Sequence, residues 1–185
     1  HVIASQGDKI QTGYEPVAGS VGFEIFDSHP PEEIAERAAM RAIKMLSARN
    51  APSGQMPVIL SSEAGGTMIH ESVGHGLEND LASENLSVYS GKLGQKVASP
   101  LVSVVDDATM IGKRGSFTFD DEGNSAARTL LIDHGVLVSY LSPSTGNGRR
   151  QNFEYPPIVR MTNTFILPGN DEPADILTNT QNGIF

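Results

Sequence analysis

The sequence predicts an α+β fold, with a long helix plus a motif helix packed on a largely antiparallel β-sheet. Three observations predict it. Residues 31–50 repeat apolar side chains at helical spacing. Residues 97–167 hold short β-type runs separated by turn residues. Between them, residues 67–80 carry a second helical pattern with two histidines and two glutamates inside it. At 185 residues and 38% hydrophobic content, the chain is long enough to bury a core.

Residues 1–29 are Gly-rich and irregular, apart from an alternating patch at residues 21–26 (VGFEIF) that predicts a strand. A helix then starts at residues 28–31, with proline in its first turn and Glu32 and Glu33 near its positive end. Ile34, Ala38, Ile43, Met45 and Leu46 supply its apolar side, and it ends near Asn50, ahead of Pro52 and Gly54. Residues 57–60 (PVIL) predict a short buried strand. Gly65 and Gly66 follow, and Thr67 is the expected N-cap of the motif helix. Further strands are expected at residues 97–105, 116–120, 129–133, 136–141 and 161–167. The turn Asp133-His134-Gly135 predicts a tight hairpin. Residues 142–150 form a Gly-, Ser- and Pro-rich loop, and residues 173–181 predict a last helix.

Composition narrows the function classes. The formal charge is −9, and the 13 basic residues are spread thinly apart from the pair Arg149-Arg150. That argues against a nucleic-acid partner, because a phosphate-tracking surface needs clustered Lys and Arg. The apolar runs are too short to span a bilayer, so no membrane partner is expected. The chain has no cysteine, which fits a cytoplasmic location. It also means that any thiolate metal ligand must come from outside these residues.

His70, Glu71 and His75 fall within six residues. Imidazole nitrogen suits zinc, and a catalytic zinc usually has three protein ligands plus a water. A neighbouring carboxylate can take a proton from that water and pass it to a leaving amine. The familiar helix for this chemistry has H-E-x-x-H spacing, with both histidines on one face. Here the histidines are five apart. On a regular helix five steps turn through about 500°, leaving the second ring about 140° from the first. The two can share an ion only if the helix widens or breaks locally. A π-bulge does this, and Gly74 eases the distortion. A regular helix favours a different set, Glu71, His75 and Glu78, with His70 as a bystander.

The strings carry a resemblance. Residues 66–78 (GTMIHESVGHGLE) resemble the TldD branch of the TldD/PmbA peptidases, also labelled modulators of DNA gyrase, which are marked by H-E-x-x-x-H. Residues 104–107 (VVDD), 114–116 (RGS), 120–123 (DDEG), 145–150 (TGNGRR) and 160–164 (RMTNT) resemble family segments in the same order. The resemblance implies a zinc-dependent peptidase of the cytoplasm that hydrolyses unfolded or flexible peptides. It implies His70 and His75 as zinc ligands and Glu71 as general base. It also implies a homologous partner subunit, in a hetero- or homodimer. A peptide-binding module, or a partner subunit without catalytic activity, is the alternative. Family members complete the metal site with a cysteine near the C-terminus, continue through a further β-rich segment, and carry a longer insert around residues 139–145. The chain is therefore read as residues 1–29, the tail of an upstream N-terminal domain, and residues 30–185, part of the metallopeptidase domain truncated at its C-terminus.

Two further features are open at this level. Arg149 or Arg150 offers a grip for a peptide carboxylate or carbonyl. Asp106, Asp107, Asp120, Asp121 and Glu122 allow a carboxylate metal site, against turn and strand-end roles. His29 and His134 sit beside turns and are expected to face solvent.

Overall fold

The structure, a computed structural model, describes residues 1–184. It is an α+β fold in two compact units, His1–Gln55 and the residues from Met56 onward. The long helix packs on the strands that precede it and so belongs to the first unit.

In the first unit, β1 (Val2–Gln6) and β2 (Lys9–Gly13) pair in register from Val2↔Gly13 to Gln6↔Lys9. The two-residue loop turns at Gly7, whose φ of +57° suits glycine. The patch at residues 21–26 does not form the expected strand. Its end is a single helical turn, α1 (Ile25–Ser28), and Phe23 is exposed, so the alternation has no sheet to join. The long helix α2 (Pro31–Leu46) starts at proline and carries Glu32 and Glu33 in its first turn. Its buried residues are Ala38 and Ala42, whereas Ile43 and Met45 point to solvent. Small residues win the inner face because β2 comes very close. A Cβ on Gly13 would overlap the Ala38 carbonyl oxygen. Arg37 and Arg41 both reach Glu15, at 3.0 and 2.9 Å.

The second unit is built on a four-stranded antiparallel sheet of β3 (Val104–Asp107), β4 (Arg128–Asp133), β5 (Val136–Leu137) and β8 (Thr164–Ile166), in the order β5-β4-β3-β8. β6 (Gly148–Arg149) and β7 (Ile158–Val159) form a separate antiparallel ribbon. β4 spans the strand expected at residues 129–133, β3, β5 and β8 are shorter than the runs expected at residues 97–105, 136–141 and 161–167, and the runs at residues 57–60 and 116–120 form no strand, for identifiable reasons. Pro100 interrupts the run at residues 97–105, so pairing begins at Val104. Residues 116–120 make one bridge, Phe119↔Ser125, and lead into a turn at residues 120–124 that wraps the Asp120 carboxylate. β5 stops at Leu137 because Val138 and Ser139 both donate to the Leu131 carbonyl, at 2.9 and 3.3 Å. The run at residues 57–60 forms a single bridge, Val58↔Ile184. The hairpin between β4 and β5 turns at His134 and Gly135, both with positive φ, 44° and 83°.

The core gathers Ile69 and Leu77 from the motif segment with Val104, Leu131, Ile132, Leu137, Leu141 and Val159 from the strands. The motif helix α3 (Ser62–Ile69), the short helix α4 (Asn79–Ser83) and a final helix α5 (Pro173–Asn179) complete the unit. Among the described residues, no helix is long and apolar enough to cross a membrane.

Candidate metal centre

α3 begins earlier than expected. The Ser61 hydroxyl caps it by accepting the Ala64 N–H at 3.4 Å, so Gly65, Gly66 and Thr67 all lie inside the helix. An interior glycine costs about 1 kcal/mol, which is too little to stop a helix that is capped and packed on β8.

The helix changes pitch at His70. The His70 N–H still reaches back to the Gly66 and Thr67 carbonyls, but the His75 N–H bonds to the His70 carbonyl, five residues back. Residues His70–Gly74 are thus a π turn, and His75–Leu77 a tight 3₁₀ turn. The widened turn removes the phase error of the five-residue spacing. The two imidazole centroids lie 4.7 Å apart, with the rings at 84°. Candidate ligand atoms of His70, Glu71 and His75 all lie within 4.8 Å of one another. Among the described residues, no other group of three histidines or acids gathers this closely.

Neighbours hold the turn in place. Gly74 is buried against Met161, and a Cβ there would overlap the thioether sulfur. Gly76 lies against the Tyr89 ring, 2.7 Å from where a Cβ would sit. The Tyr89 hydroxyl donates to the Ser72 carbonyl at 3.1 Å, inside the π turn. Burial raises the pKa of that phenol, which keeps it a donor. Just beyond, backbone bonds of 2.9 Å link Leu141 N–H to the Leu77 carbonyl and Asn79 N–H to the Leu141 carbonyl.

Glu78 stands behind the site. Its side chain is only 1% exposed, and Oε2 accepts from His75 Nδ1 and from Arg160 Nη1, each at 3.2 Å. With Nδ1 engaged, Nε2 is the His75 nitrogen left for an ion. A carboxylate in this position fixes ring orientation and raises ligand basicity. Glu78 thus lies against the Nδ1 side of His75, and the candidate ligand atoms that converge are those of His70, Glu71 and His75. Two imidazoles beside a carboxylate, one ring braced by a buried acid, are donors that fit a zinc-type ion. The His75–Glu78 pair was visible as an (i, i+3) spacing. Arg160, 82 residues away from Glu78, left no local signal.

Asp106, Asp107, Asp120 and Asp121 accept hydrogen bonds within the fold. Asp106 is buried and accepts from Asn147 Nδ2, Thr162 N–H, Thr162 Oγ1 and Thr164 Oγ1, at 2.6–3.0 Å. Asp120 accepts from the N–H groups of Glu122, Asn124 and Gly148 and from the Asn124 side chain. Burial alone would raise the Asp120 pKa, but these donors outweigh it and hold the group below its ordinary range. Asp107 accepts from Thr109, and Asp121 from the Arg150 N–H. His29 and His134 are exposed and bond to their sequence neighbours Ser28 and Asp133.

Residues 53–185 match the model of the PmbA/TldA metallopeptidase C-terminal domain. The chain belongs to the PmbA/TldD metallopeptidase family. Over 99% of its length it is 41% identical to a metalloprotease of Methanocaldococcus jannaschii, and over 100% it is 37% identical to a metalloprotease TldD homolog of Haemophilus influenzae. It covers 42% and 41% of those relatives, so it spans about two fifths of their length. A crystal structure from Thermotoga maritima, described as a modulator of a DNA gyrase, superposes with a TM-score of 0.76 at 27% identity, covering 98% of this chain and 42% of that one. The PmbA/TldD fold therefore extends over both units of the chain.

Proposed function

We propose that this chain carries the metal centre of a zinc-dependent peptidase acting on unfolded or flexible peptides, with His70 and His75 as metal ligands and Glu71 as general base. The observation that carries the proposal is the π turn. It brings together two rings that a regular helix would set about 140° apart, and it leaves Glu71 beside them. The resemblance supplies zinc, the peptide substrates, the cytoplasmic setting and a homologous partner subunit. It also supplies a third ligand, a cysteine, from outside these residues.

When bound, zinc supplies Lewis acidity at this point. The chain's own residues do the rest. Glu71 takes a proton from the attacking water on one carboxylate oxygen and returns it to the leaving amine. Glu78 holds His75 Nδ1 and so fixes the ring plane. Arg160 balances the Glu78 charge.

The test uses the intact protein. Elemental analysis gives about one zinc per chain, and Glu71→Gln lowers kcat for an unstructured peptide about 10²–10⁴-fold while the metal stays bound. Retained cleavage in that variant overturns the assignment of the base. A metal-free protein that still binds peptides favours the peptide-binding module instead.

A further inference from the structure

Among its 13 basic residues, this acidic chain turns three into a single cleft. Arg149, Arg150 and Arg160 line it with Gln151 and Ile158, and its volume is about 300 Å³. That is at the small end of the range for ligand pockets. The β6–β7 ribbon builds it. Arg149 pairs directly opposite Ile158, so their side chains share a face, and Arg160, two residues past Ile158, returns to that face. The Arg160 N–H extends the ladder to the Asn147 carbonyl at 2.9 Å, and Asn147 is itself buried and bonded to Asp106. Arg149 and Arg160 are therefore held by the backbone pairing of the ribbon.

Their donors are largely unused. The Arg149 guanidinium stacks 3.6 Å above the Phe117 ring and has no hydrogen-bond acceptor among the described residues. Burial lowers its pKa, while Asp121, Asp120 and Asp106 raise it from a distance. Asp106 and Asp120 each already accept four hydrogen bonds, and Asp121 accepts the Arg150 N–H. Arg160 spends Nη1 on Glu78 and on the Val159 carbonyl, which leaves Nε and Nη2 over. Arg150 spends Nη1 on the Tyr155 carbonyl. A guanidinium carries five N–H donors in a planar fork that matches a carboxylate. A partly desolvated one without an acceptor gains most from meeting an anion.

The cleft is linked to the metal centre through Glu78. Arg160 bonds to Glu78 and Glu78 to His75, so two hydrogen bonds separate the arginine from the candidate ligand. We propose that this cleft is a subsite for a peptide carboxylate, with Arg149 and Arg160 gripping the anion while the scissile bond lies over His70 and His75. Resting on the peptidase reading above, the proposal defines its substrate class as peptides carrying a negative charge a short distance from the cleaved bond. The carboxylate comes either from the peptide C-terminus or from an acidic side chain.

The test measures binding without turnover. Intact protein carrying Glu71→Gln is titrated into fluorescein-labelled peptides read by anisotropy. One pair differs in a free or amidated C-terminus, and a second pair in Glu or Gln at a single internal position. Loss of one carboxylate raises Kd about tenfold, and the pair that responds identifies the source of the anion. Adding Arg149→Gln raises Kd about tenfold for the charged peptide and leaves its neutral mate within twofold. Arg149→Lys recovers part of the loss. Equal affinity for charged and neutral peptides in both pairs overturns the proposal, with the arginines unaltered and folding not in question. Equal loss on both members of the responding pair in Arg149→Gln overturns it too. If cleavage survives Glu71→Gln but carboxylate-dependent binding holds, the catalytic assignment fails and the subsite stands. If cleavage requires Glu71 but charged and neutral peptides bind alike, the subsite fails alone.

Discussion

Replacing Glu78 by Gln in the intact protein separates two roles that a buried acid can play. The side chain is 1% exposed, and one oxygen serves both His75 and Arg160 at 3.2 Å. Loss of a carboxylate behind a metal-ligating histidine typically weakens metal binding about 10–100-fold. That is about 1.4–2.7 kcal/mol. Folding of the metal-free protein responds differently. Glu78 Oε1 is buried without a donor among the described residues, so neutralising the group removes a desolvation cost. Arg160 is 43% exposed and returns to water, which discounts the lost ion pair to about 0–1 kcal/mol. Zinc affinity therefore falls at least tenfold, while metal-free stability stays within about 1 kcal/mol of the parent. Competition with a chromophoric chelator measures the first, and urea unfolding of chelator-treated protein the second. The reasoning is refuted if zinc affinity stays within twofold. It is equally refuted if the metal-free variant loses more than about 3 kcal/mol, the size expected for breaking a structural buried pair.

Two glycine substitutions differ by what they strike. Gly13→Ala drives a methyl into the Ala38 carbonyl and to 2.6 Å from Ala42 N, which are backbone atoms that cannot turn away. It costs about 2–3 kcal/mol, read as faster proteolysis of the first unit. Gly74→Ala meets the flexible end of Met161, so it costs about 1–2 kcal/mol in urea unfolding, and shortening Met161 as well recovers part of that. Asp106→Asn puts an amide N–H₂ among four donors and lowers stability by about 2–4 kcal/mol, which thermal unfolding detects. Asp120 has a folded-state pKa below its ordinary value of 3.8. Its ionised form therefore stabilises the fold above that value, and the contribution disappears as pH falls through the lower one. The stability gap between parent and Asp120→Asn should accordingly narrow on the acid side of 3.8.

Local chemistry was legible in the sequence where few residues decide it. The five-residue spacing of His70 and His75 called for a widened turn, and the helix has one. His134-Gly135 called for a hairpin with positive φ, and both residues adopt it. What lay beyond reading was set by partners distant in sequence. Asp106 recruits Thr162 and Thr164 from 56 and 58 residues away. Asp120 ends a strand-like run in a turn by collecting N–H groups from Glu122, Asn124 and the distant Gly148. The patch at residues 21–26 alternated as a strand does, but lacked an edge to pair with. Thr67 was a plausible cap, yet Ser61 took the role because the helix ran through two glycines.

The pitch change in the motif helix also limits how the chain length can vary. The backbone loosens by one residue across His70–Gly74 and tightens over His75–Leu77. Ile69 and Leu77, on either side, thereby both stay anchored in the interior. The surplus residue is absorbed where it arises, so the sheet never registers it. A deletion between Ile69 and Leu77 would restore even winding yet swing one anchor out of the interior, whereas insertions ahead of Ser61 or after Ser83 leave both anchors seated. Length polymorphism should thus be admitted on both flanks of this stretch and barred within it.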